Sequence, residues 1–292
     1  MPDQFEITVP ASIANLGPGF DTLAVAVQLY VRLRVKQTGG KNELHFRFAN
    51  ALIDGENYIE RAFLFLARQQ AADFPSLDVE VETEIPPKSG LGSSAAATVA
   101  GLRLYEAIAG PLPAQGLLNA ACALEHHPDN VAAALLGGLT ISCQLPDRSV
   151  MAMRMGWPAQ LKFVVLTPHI PLPTAHSRSV LPDKVSLEDA VFNVQRVALL
   201  LRSLQTEDFS LLREALSDRL HQPYRQHLTP GLERALTLQH PDLLGVFLSG
   251  AGPSIAALAM QHLDEIEELL RDSFRETGLT CCVRRLQVHE NT

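Results

Sequence analysis

The stretch Pro86–Ala97, PPKSGLGSSAAA, carries the most information about the fold of this 292-residue chain. Its two prolines end an alternating segment, Leu77–Ile85, that we predict to be a strand. An Ala-rich run, Ser94–Ala109, follows and is predicted to be a helix, and Gly90 and Gly92 let the backbone turn before it. Backbone N–H groups and the positive dipole end of such a helix attract an anion. The sequence therefore predicts a phosphate-binding loop, whose serine hydroxyls can contact a phosphate or its Mg²⁺.

The same residues also fit a plain turn followed by a helix with a serine N-cap, because Ser is a preferred N-cap residue and Gly a common turn residue. The chain contains neither the GxxxxGK[ST] string of a Walker P-loop nor the GxGxxG string of a dinucleotide-binding fold. A nucleotide site at this loop would therefore belong to a different class.

Composition excludes several classes of function. The chain has 24 Lys and Arg against 32 Asp and Glu, a net charge of −8, and lacks the basic stripe of a nucleic-acid or polybasic membrane binder. We therefore expect no nucleic-acid and no membrane partner. The segment Met1–Pro10 contains Asp3 and Glu6 instead of a basic, then apolar, leader, so we expect a cytoplasmic protein.

The four cysteines do not form a recognisable metal or redox motif. They are scattered, with no CxxC pair. We expect them to be reduced, mostly buried and not catalytic, because buried free cysteine behaves as a small hydrophobic residue. They are Cys122, Cys143, Cys281 and Cys282.

Periodicity predicts an α+β chain, because strands and helices mix in both halves without strict alternation. The poorly periodic region Asp147–Pro158 marks a soft boundary between an N-terminal domain, residues 1–155, and a C-terminal domain, residues 156–292. The other predicted strands are Phe5–Pro10, Leu29–Lys36, Leu139–Gln144, Leu161–Leu166, Leu244–Ser249 and Thr280–Val288. The other predicted helices are Asn57–Ala72, Leu117–Glu125, Leu187–Leu204, Phe209–Leu220 and Gln261–Thr277.

PKSGLGSSAAA resembles the central ATP-binding motif of the GHMP kinase superfamily. Two further stretches follow the order of that superfamily: PASIANLGPGFD (Pro10–Asp21) is similar to its first motif and LSGAGPSI (Leu248–Ile255) to its third. The resemblance implies an ATP-binding N-terminal domain that is ribosomal-protein-S5-domain-2-like and a C-terminal ferredoxin-like α/β sandwich. It also implies ATP contacts at Pro87, Lys88, Ser89, Gly90, Leu91, Gly92, Ser93, Ser94, Ala95, Ala96, Gly250 and Gly252.

Within the superfamily, the chain looks most like the homoserine kinase family, and this resemblance covers nearly its whole length. Besides the first motif, it rests on EHHPDNVAAALLGG (Glu125–Gly138), TAHSRSVLP (Thr174–Pro182) and HQPYRQHLTPG (His221–Gly231). The resemblance implies transfer of the γ-phosphoryl group of ATP to the side-chain hydroxyl of L-homoserine, giving O-phospho-L-homoserine for threonine biosynthesis.

The residue types suit an amino-acid alcohol as substrate. Arginine offers a planar fork of donors to a carboxylate, which favours Arg178 and Arg225, and Asp21 suits the ammonium group. Each also has a structural interpretation, since an Asp or Asn in a glycine-rich loop commonly forms a turn and an isolated Arg is commonly solvated. The candidates for the hydroxyl or the substrate backbone are Asn15, His127 and Asn130.

The resemblance further implies a Mg²⁺ site at Ser94 and Glu125, whose hard oxygen atoms are ligands that this ion accepts. The alternative for Glu125 is an exposed acid at a helix end. Phosphoryl transfer needs mainly positioning and charge neutralisation. Asn15 and Asp129 are the catalytic candidates, and Asp129 is a weak general-base candidate by analogy with mevalonate-type kinases.

Departures from the family pattern leave the acceptor open. Pro173 and His176 replace a Ser and a Glu beside Arg178, while His126 and Ala133 replace a Gly and a Pro. A kinase for another small amino alcohol or an isoprenoid precursor is one alternative, although the arginines and Asp21 argue against an isoprenoid. A catalytically silent metabolite sensor is another, although it need not retain Ser93, Ser94 and Glu125. The oligomeric state is open, with a homodimer as one option.

Overall fold

Two β-sheets form the framework of the computed structural model, which describes residues 3–50, 55–125 and 127–290. The first sheet contains β1 (Gln4–Ala14), β2 (Leu23–Lys41), β3 (Leu44–Phe48), β4 (Pro75–Thr83), β5 (Leu139–Gln144) and β6 (Val150–Met155). Its order is β3-β4-β2-β5-β6, with β1 also paired to β2. Only the β3/β4 pair is parallel among the described strands. The largely antiparallel pairing is typical of an α+β fold.

Four helices belong to this half of the chain: α1 (Tyr58–Gln69), α2 (Ser93–Ala109), α3 (Ala114–Glu125) and α4 (Asp129–Leu136). The Asn57 side chain caps α1 by accepting from the backbone N–H groups of Ile59 and Glu60. Small residues on α2 allow close helix packing, so that most of α2 is buried. The glycine loop therefore leads directly into a helix that is mostly buried.

The second sheet contains β7 (Lys162–Pro168), β8 (Leu243–Leu248), β9 (Ile255–Ala259) and β10 (Cys281–Leu286), in the order β10-β7-β9-β8. All its described neighbours are antiparallel. Its helices are α5 (Thr174–Ser179), α6 (Leu187–Thr206), α7 (Leu212–Ala215), α8 (Gln222–Arg225), α9 (Leu232–Leu236) and α10 (Leu263–Arg275). A short 3₁₀ turn, Gln226–Leu228, follows α8.

The C-terminal segment returns to the first sheet. The backbone N–H of Gln28 donates to the carbonyl of Gln287 at 2.9 Å, and that of His289 donates to Ala26 at 2.9 Å. The first sheet ends at Met155 and the second begins at Lys162. The domain limits of 1–155 and 156–292 stay a prediction.

Two features of the predicted secondary structure are wrong. The segment Phe209–Leu220 contains only the four-residue helix α7. The reason is Asp218, whose carboxylate accepts from the backbone N–H groups of Leu220, His221 and Gln222 and thereby turns the chain.

The segment Asp147–Pro158, for which we predicted no element, contains the edge strand β6. Met151 and Met153 are exposed on it, 53% and 61%, so the strand lacks the apolar-in, polar-out alternation. The short strands β3 and β9 and helix α5 were also not predicted.

The cysteines are free, as expected, but their burial differs from the expectation. Cys122 is buried, Cys143 is exposed, and Cys281 and Cys282 are half-buried. Within the described ranges, no helix is both long and apolar enough to cross a membrane.

We predict that Gly101→Ala destabilises the fold. A Cβ atom at Gly101 would lie 2.1 Å from the carbonyl oxygen of Ile59, so α1 and α2 would have to separate. Overpacking of this kind costs about 1–3 kcal/mol. Chemical denaturation followed by circular dichroism measures the change in the free energy of unfolding.

Gly116→Ala is the matched control for Gly101→Ala. Gly116 lies on α3 with nothing within 4 Å of a Cβ atom, so alanine should stabilise the helix by about 0.5–1 kcal/mol. Equal effects of the two substitutions would contradict the close helix contact.

Candidate active site

The glycine loop ends in a helix N-terminus that is open to a ligand. Lys88, Gly90 and Gly92 have left-handed φ values of 52°, 81° and 69°. Gly92 is the N-cap of α2, and no side chain in the described part of the chain caps the helix there. The serine-capped alternative is therefore wrong. The first N–H groups of a helix have no intrahelical partner, so this end fits an anion.

A cleft lies at this helix end and brings together residues from both halves of the chain. Phe20, Thr174 and Ala251 also line it and were not singled out from the sequence. The predicted residues that line it are Asn15, Asp21, Lys88, Ser89, Gly90, Gly92, Ser93, Ser94, Ala95, His127, Asp129, Asn130, Arg178, Arg225 and Gly250.

Four predicted ATP-binding residues do not line the cleft. Leu91 and Ala96 are buried in the core, and Pro87 is exposed. Gly252 packs against Leu248 and Thr229, where a Cβ atom would approach side-chain atoms at 3.0 Å. These four residues are therefore positioned to support the conformation of the glycine loop and the third motif, without contacting a ligand in the cleft.

The third motif holds the glycine loop in place. The Ser249 hydroxyl donates to the Gly90 carbonyl at 2.7 Å, and the Ser254 N–H donates to the Ser89 carbonyl at 3.0 Å. A Cβ atom on Gly90 would lie 2.4 Å from the Ser249 carbonyl oxygen. Only glycine therefore fits this close approach of two backbones.

Asn15 connects the first motif to the third. It has a φ of 73°, which asparagine tolerates better than most residues. Its amide nitrogen donates to the Gly250 carbonyl at 2.9 Å, and its amide oxygen accepts from the Asp21 N–H at 3.1 Å. This buried side chain thus fixes the position of Asp21 relative to the third motif.

The Glu125 carboxylate at the end of α3 lies against Ser94 in the first turn of α2. The Ser94 hydroxyl donates to one carboxylate oxygen of Glu125 at 2.7 Å, and the Thr98 hydroxyl donates to the other at 2.8 Å. The Glu125 side chain is only 7% exposed, so the exposed-acid alternative is wrong. Arg61 lies 3.3 Å from the same carboxylate.

This donor set fits Mg²⁺ only in part. Carboxylate and hydroxyl oxygens suit the ion, which commonly takes its remaining ligands from substrate phosphates and water. The described residues contain no group of three or more His, Cys, Asp or Glu side chains that could hold a metal. Thr98 was missed from the sequence, although it lies four residues after Ser94 and so on the same face of α2.

Two arginines flank the ring of Phe20. The guanidinium carbon of Arg178 lies 5.5 Å from the ring centre, and that of Arg225 lies 5.2 Å from it. Arg178 also pairs with the Asp21 carboxylate. This arrangement brings two cations and one anion to one wall of the cleft.

Arg225 is 1% exposed, so the solvated alternative is wrong for it. Its guanidinium donates to the carbonyls of Ser177 and Gly250 at 3.1 and 3.2 Å. Burial, with the neighbouring charge of Arg178, lowers the pKa of Arg225 to about 10, so it remains charged at neutral pH. His221, buried beside it and stacked on Phe20, was also missed from the sequence.

Asp129 and Asn130 also line the cleft. The Asp129 carboxylate, 2% exposed, accepts from the Asn130 backbone N–H at 2.8 Å and from its side-chain amide at 3.2 Å. The Asn130 amide oxygen accepts from the Ser12 hydroxyl at 2.8 Å. Both side chains are therefore held before any ligand binds.

His127 lies beside Asp129, with its Nδ1 atom 3.6 Å from the carboxylate. Burial lowers the pKa of His127, but the interaction with the Asp129 carboxylate outweighs burial and leaves the pKa above its usual range. His127 is thus held near a carboxylate that favours its protonated form.

The described residues that depart from the family pattern do not line the cleft. Pro173 precedes α5 as its N-cap residue, and His176 is exposed and does not line the cleft. Ala133 is buried in a cluster of alanines with Ala14 and Ala24. His126 lies outside the described residues.

Comparison with known proteins identifies this arrangement. Residues 57–138 match the family model "GHMP kinases N terminal domain", and residues 200–276 match "GHMP kinases C terminal". The chain is 40% identical to a homoserine kinase of Solibacter usitatus over 94% of this chain and 91% of the relative. The chain belongs to the homoserine kinase family of GHMP kinases. It is therefore a small-molecule kinase.

Two further homoserine kinases show the same likeness. The Moorella thermoacetica protein is 39% identical over 96% of each chain. The crystal structure of homoserine kinase from Cytophaga hutchinsonii matches with a TM-score of 0.87 and 26% identity, covering 100% of this chain and 96% of that one. The predicted two-domain GHMP kinase fold of the α+β class is confirmed.

We predict that Asp129→Asn lowers the pKa of His127 below its usual value. The substitution removes the carboxylate that raises the pKa and leaves the burial that lowers it. Proton–nitrogen correlation spectra of the imidazole, recorded across a pH series, measure the change. His127→Asn assigns the signal, and an unchanged pKa in Asp129→Asn would contradict the interaction.

Proposed function

We propose that the chain transfers the γ-phosphoryl group of ATP to the side-chain hydroxyl of L-homoserine, giving O-phospho-L-homoserine and ADP. The observation that carries the proposal is one cleft that joins an open helix N-terminus to the pair of arginines and Asp21. The homoserine kinases to which the chain is similar support the choice of acceptor. The place of this reaction in threonine biosynthesis and in the cytoplasm stays part of the proposal.

The phosphates of ATP would bind at the first turn of α2. The backbone N–H groups of Ser93, Ser94 and Ala95 belong to this turn, and the helix dipole favours negative charge there. Ser94 and Glu125 would hold Mg²⁺, which, when bound, neutralises charge on the phosphoryl oxygens. An acidic chain can therefore bind a nucleotide without a basic surface.

The acceptor pocket suits a zwitterion. Asp21 and Arg178 already pair with each other, so an amino acid can place its ammonium on Asp21 and its carboxylate on Arg178 without changing the net charge of the pocket. Arg225 adds a second buried cation for the carboxylate. Asn130 and His127 would then lie near the side-chain hydroxyl.

Catalysis would rest on positioning. Both groups of the Asn15 amide are already hydrogen-bonded, the nitrogen to Gly250 and the oxygen to the Asp21 N–H. Asn15 would therefore contribute by holding Asp21, which would in turn orient the acceptor. The Asp129 carboxylate is similarly held by Asn130. Reacting oxygen and phosphorus held in line require little covalent help from the protein.

A coupled ADP-release assay with homoserine, threonine, serine and mevalonate tests the proposed function. Serine is shorter than homoserine by one methylene, which is worth about 10- to 200-fold in kcat/KM. Mevalonate lacks the ammonium that Asp21 would bind. We expect homoserine to be the best acceptor by at least about 10-fold, and equal activity with the other alcohols would overturn the proposal.

Arg178→Lys, measured in the same assay, tests the proposed contact between Arg178 and the carboxylate of homoserine. Loss of a charged, bidentate contact should lower kcat/KM for homoserine by about 10- to 150-fold, corresponding to about 1.5–3 kcal/mol, and leave the KM for ATP unchanged. Arg202→Lys, an exposed arginine on α6, is the matched control and should change neither value.

We predict that Asp129→Asn retains appreciable turnover. A general base contributes about 10²- to 10⁴-fold, so a decrease in kcat of less than about 100-fold indicates that positioning dominates. Steady-state kinetics at saturating homoserine and ATP measure the change. A loss of several decades would assign the hydroxyl proton to Asp129.

We predict that Glu125→Gln lowers kcat at least about 100-fold, the order expected when a preorganised electrostatic group is lost. The variant should also need more Mg²⁺ for half-maximal rate, because one anionic ligand is missing. The matched control is Glu106→Gln, an acid on α2 that pairs with Arg103, whereas Glu125 pairs with Ser94. An unchanged Mg²⁺ requirement in Glu125→Gln would contradict the proposed site.

A further inference from the structure

One histidine is completely buried next to residues that line the cleft. His221 is 0% exposed, and its ring stacks on the Phe20 ring with 5.2 Å between the ring centres. It directly precedes α8, whose last residue is Arg225. Both ring nitrogens of a buried imidazole need partners, because an unpaired polar atom in the interior costs free energy. The partners of these two nitrogens therefore determine the protonation state of His221.

The two ring nitrogens of His221 contact groups of opposite kind. Nε2 lies 2.8 Å from the carbonyl oxygen of Gly17 in the first motif, and a carbonyl can only accept. Nδ1 lies 3.3 Å from Nη1 of Arg225, and a guanidinium can only donate. Both contacts are hydrogen bonds only when Nε2 carries a proton and Nδ1 keeps its lone pair. These partners therefore require the neutral Nε2–H tautomer.

Three charged groups face this imidazole. The Asp218 carboxylate lies 3.6 Å from Nε2, but its oxygens already accept from three backbone N–H groups and from the amide of Asn193. Arg225 and Asp21 are the other two. Burial is the main effect on the pKa of His221 and, with the charge of Arg225, lowers it in spite of both carboxylates. The neutral imidazole is therefore the stable form at neutral pH.

The lone pair of Nδ1 completes the set of acceptors around the Arg225 guanidinium. Nε donates to the Ser177 carbonyl, and Nη1 donates to the Gly250 carbonyl and to His221. Within the described ranges, the remaining nitrogen, Nη2, makes no hydrogen bond, and Arg225 lines the cleft. The two N–H groups of Nη2 are therefore available to a ligand.

We propose that His221 is a positioning residue, which holds Arg225 so that Nη2 can bind the carboxylate of the acceptor. Its lone pair fixes Nη1, and its Nε2–H group ties the same ring to the first motif. A protonated His221 would place an N–H group against the N–H groups of Arg225 and release the guanidinium. The inference rests on the proposed phosphorylation of homoserine, whose carboxylate Arg225 would bind.

Two substitutions of His221 separate the roles of its two nitrogens. In His221→Asn, the amide oxygen can take the place of Nδ1 and accept from Arg225, while the contact with Gly17 is lost. In His221→Gln, the longer amide can take the place of Nε2 and donate to Gly17, while the acceptor for Arg225 is lost.

We expect His221→Gln to raise the KM for homoserine by about 10-fold or more, as loss of a hydrogen bond to a charged group does. His221→Asn should raise that KM much less, and the KM for ATP should change in neither variant. A purely structural role predicts the opposite order, because asparagine leaves the larger cavity. Thermal melts measure the stability of both variants separately. The control is His227→Gln, an exposed histidine two residues after Arg225, which should change neither KM.

Acidification gives a second comparison. Since the pKa of His221 is lowered, its protonation should raise the wild-type KM for homoserine only below the usual pH range of imidazole titration. His221→Asn cannot take up this proton and should lack that rise. His127 titrates in both proteins, so the difference between the two pH profiles belongs to His221.

Proton–nitrogen correlation spectra of the wild type give a measurement that does not need turnover. We expect His221 to be protonated at Nε2 and unprotonated at Nδ1 at neutral pH. Nuclear Overhauser contacts with the ring of Phe20 assign the signal. These spectra test the tautomer even if a variant at position 221 does not fold.

Three results would overturn the positioning role of His221. The first is an equal rise of the KM for homoserine in His221→Asn and His221→Gln. The second is an acid-side rise in His221→Asn that matches the wild type. The third is a His221 signal protonated at Nδ1 at neutral pH. A wild type that neither binds nor phosphorylates homoserine would overturn the proposed function and, with it, this role, whereas the three results in an active wild type overturn this role alone.

Discussion

The close approach of two backbone turns, one at Gly90 and one at Ser249–Gly252, is the contact on which the cleft depends. The two segments are separated by about 160 positions, yet a Cβ atom on Gly90 would lie 2.4 Å from the Ser249 carbonyl oxygen. The Ser249 hydroxyl and the Asn15 amide add hydrogen bonds to this contact. The path of the phosphate loop is therefore set by three distant parts of the chain that bond to one another.

Backbone groups and charged side chains have different electrostatic roles in this cleft. The glycine loop and the first turn of α2 present backbone N–H groups and hydroxyls to the cleft, which is also lined by the charged side chains Asp21, Arg178 and Arg225. Backbone dipoles attract phosphate without adding net charge, so the −8 charge of the chain is no obstacle to a nucleotide. The buried arginine remains charged because carbonyl groups and nearby carboxylates surround it.

Much of the fold could be predicted because long segments with a clear pattern, such as the Ala-rich run of α2 and the alternating part of β2, indicate one type of element. The edge strand β6 could not, since the apolar Met151 and Met153 occupy exposed positions where alternation would place polar residues. For the site, the motifs include Phe20 and His221, but nothing in the sequence of these motifs assigns the two rings to the site. Their stacking arises only when the first motif and α8 fold against each other.

The contact between Gly90 and Ser249 also affects how the chain folds during its synthesis. Residues 86–97 leave the ribosome early, but the turn that supports them is made about 150 residues later. Until the Ser249–Gly252 turn has been synthesised, the glycine loop lacks the backbone segment against which it packs, and a nascent chain cannot yet form the cleft. Nucleotide or amino acid can therefore stabilise only the finished molecule, since a ligand favours the state that binds it. In this protein, stabilisation by a ligand would therefore indicate that both sheets have formed and packed together. A truncated or misassembled chain would not be stabilised by the ligand.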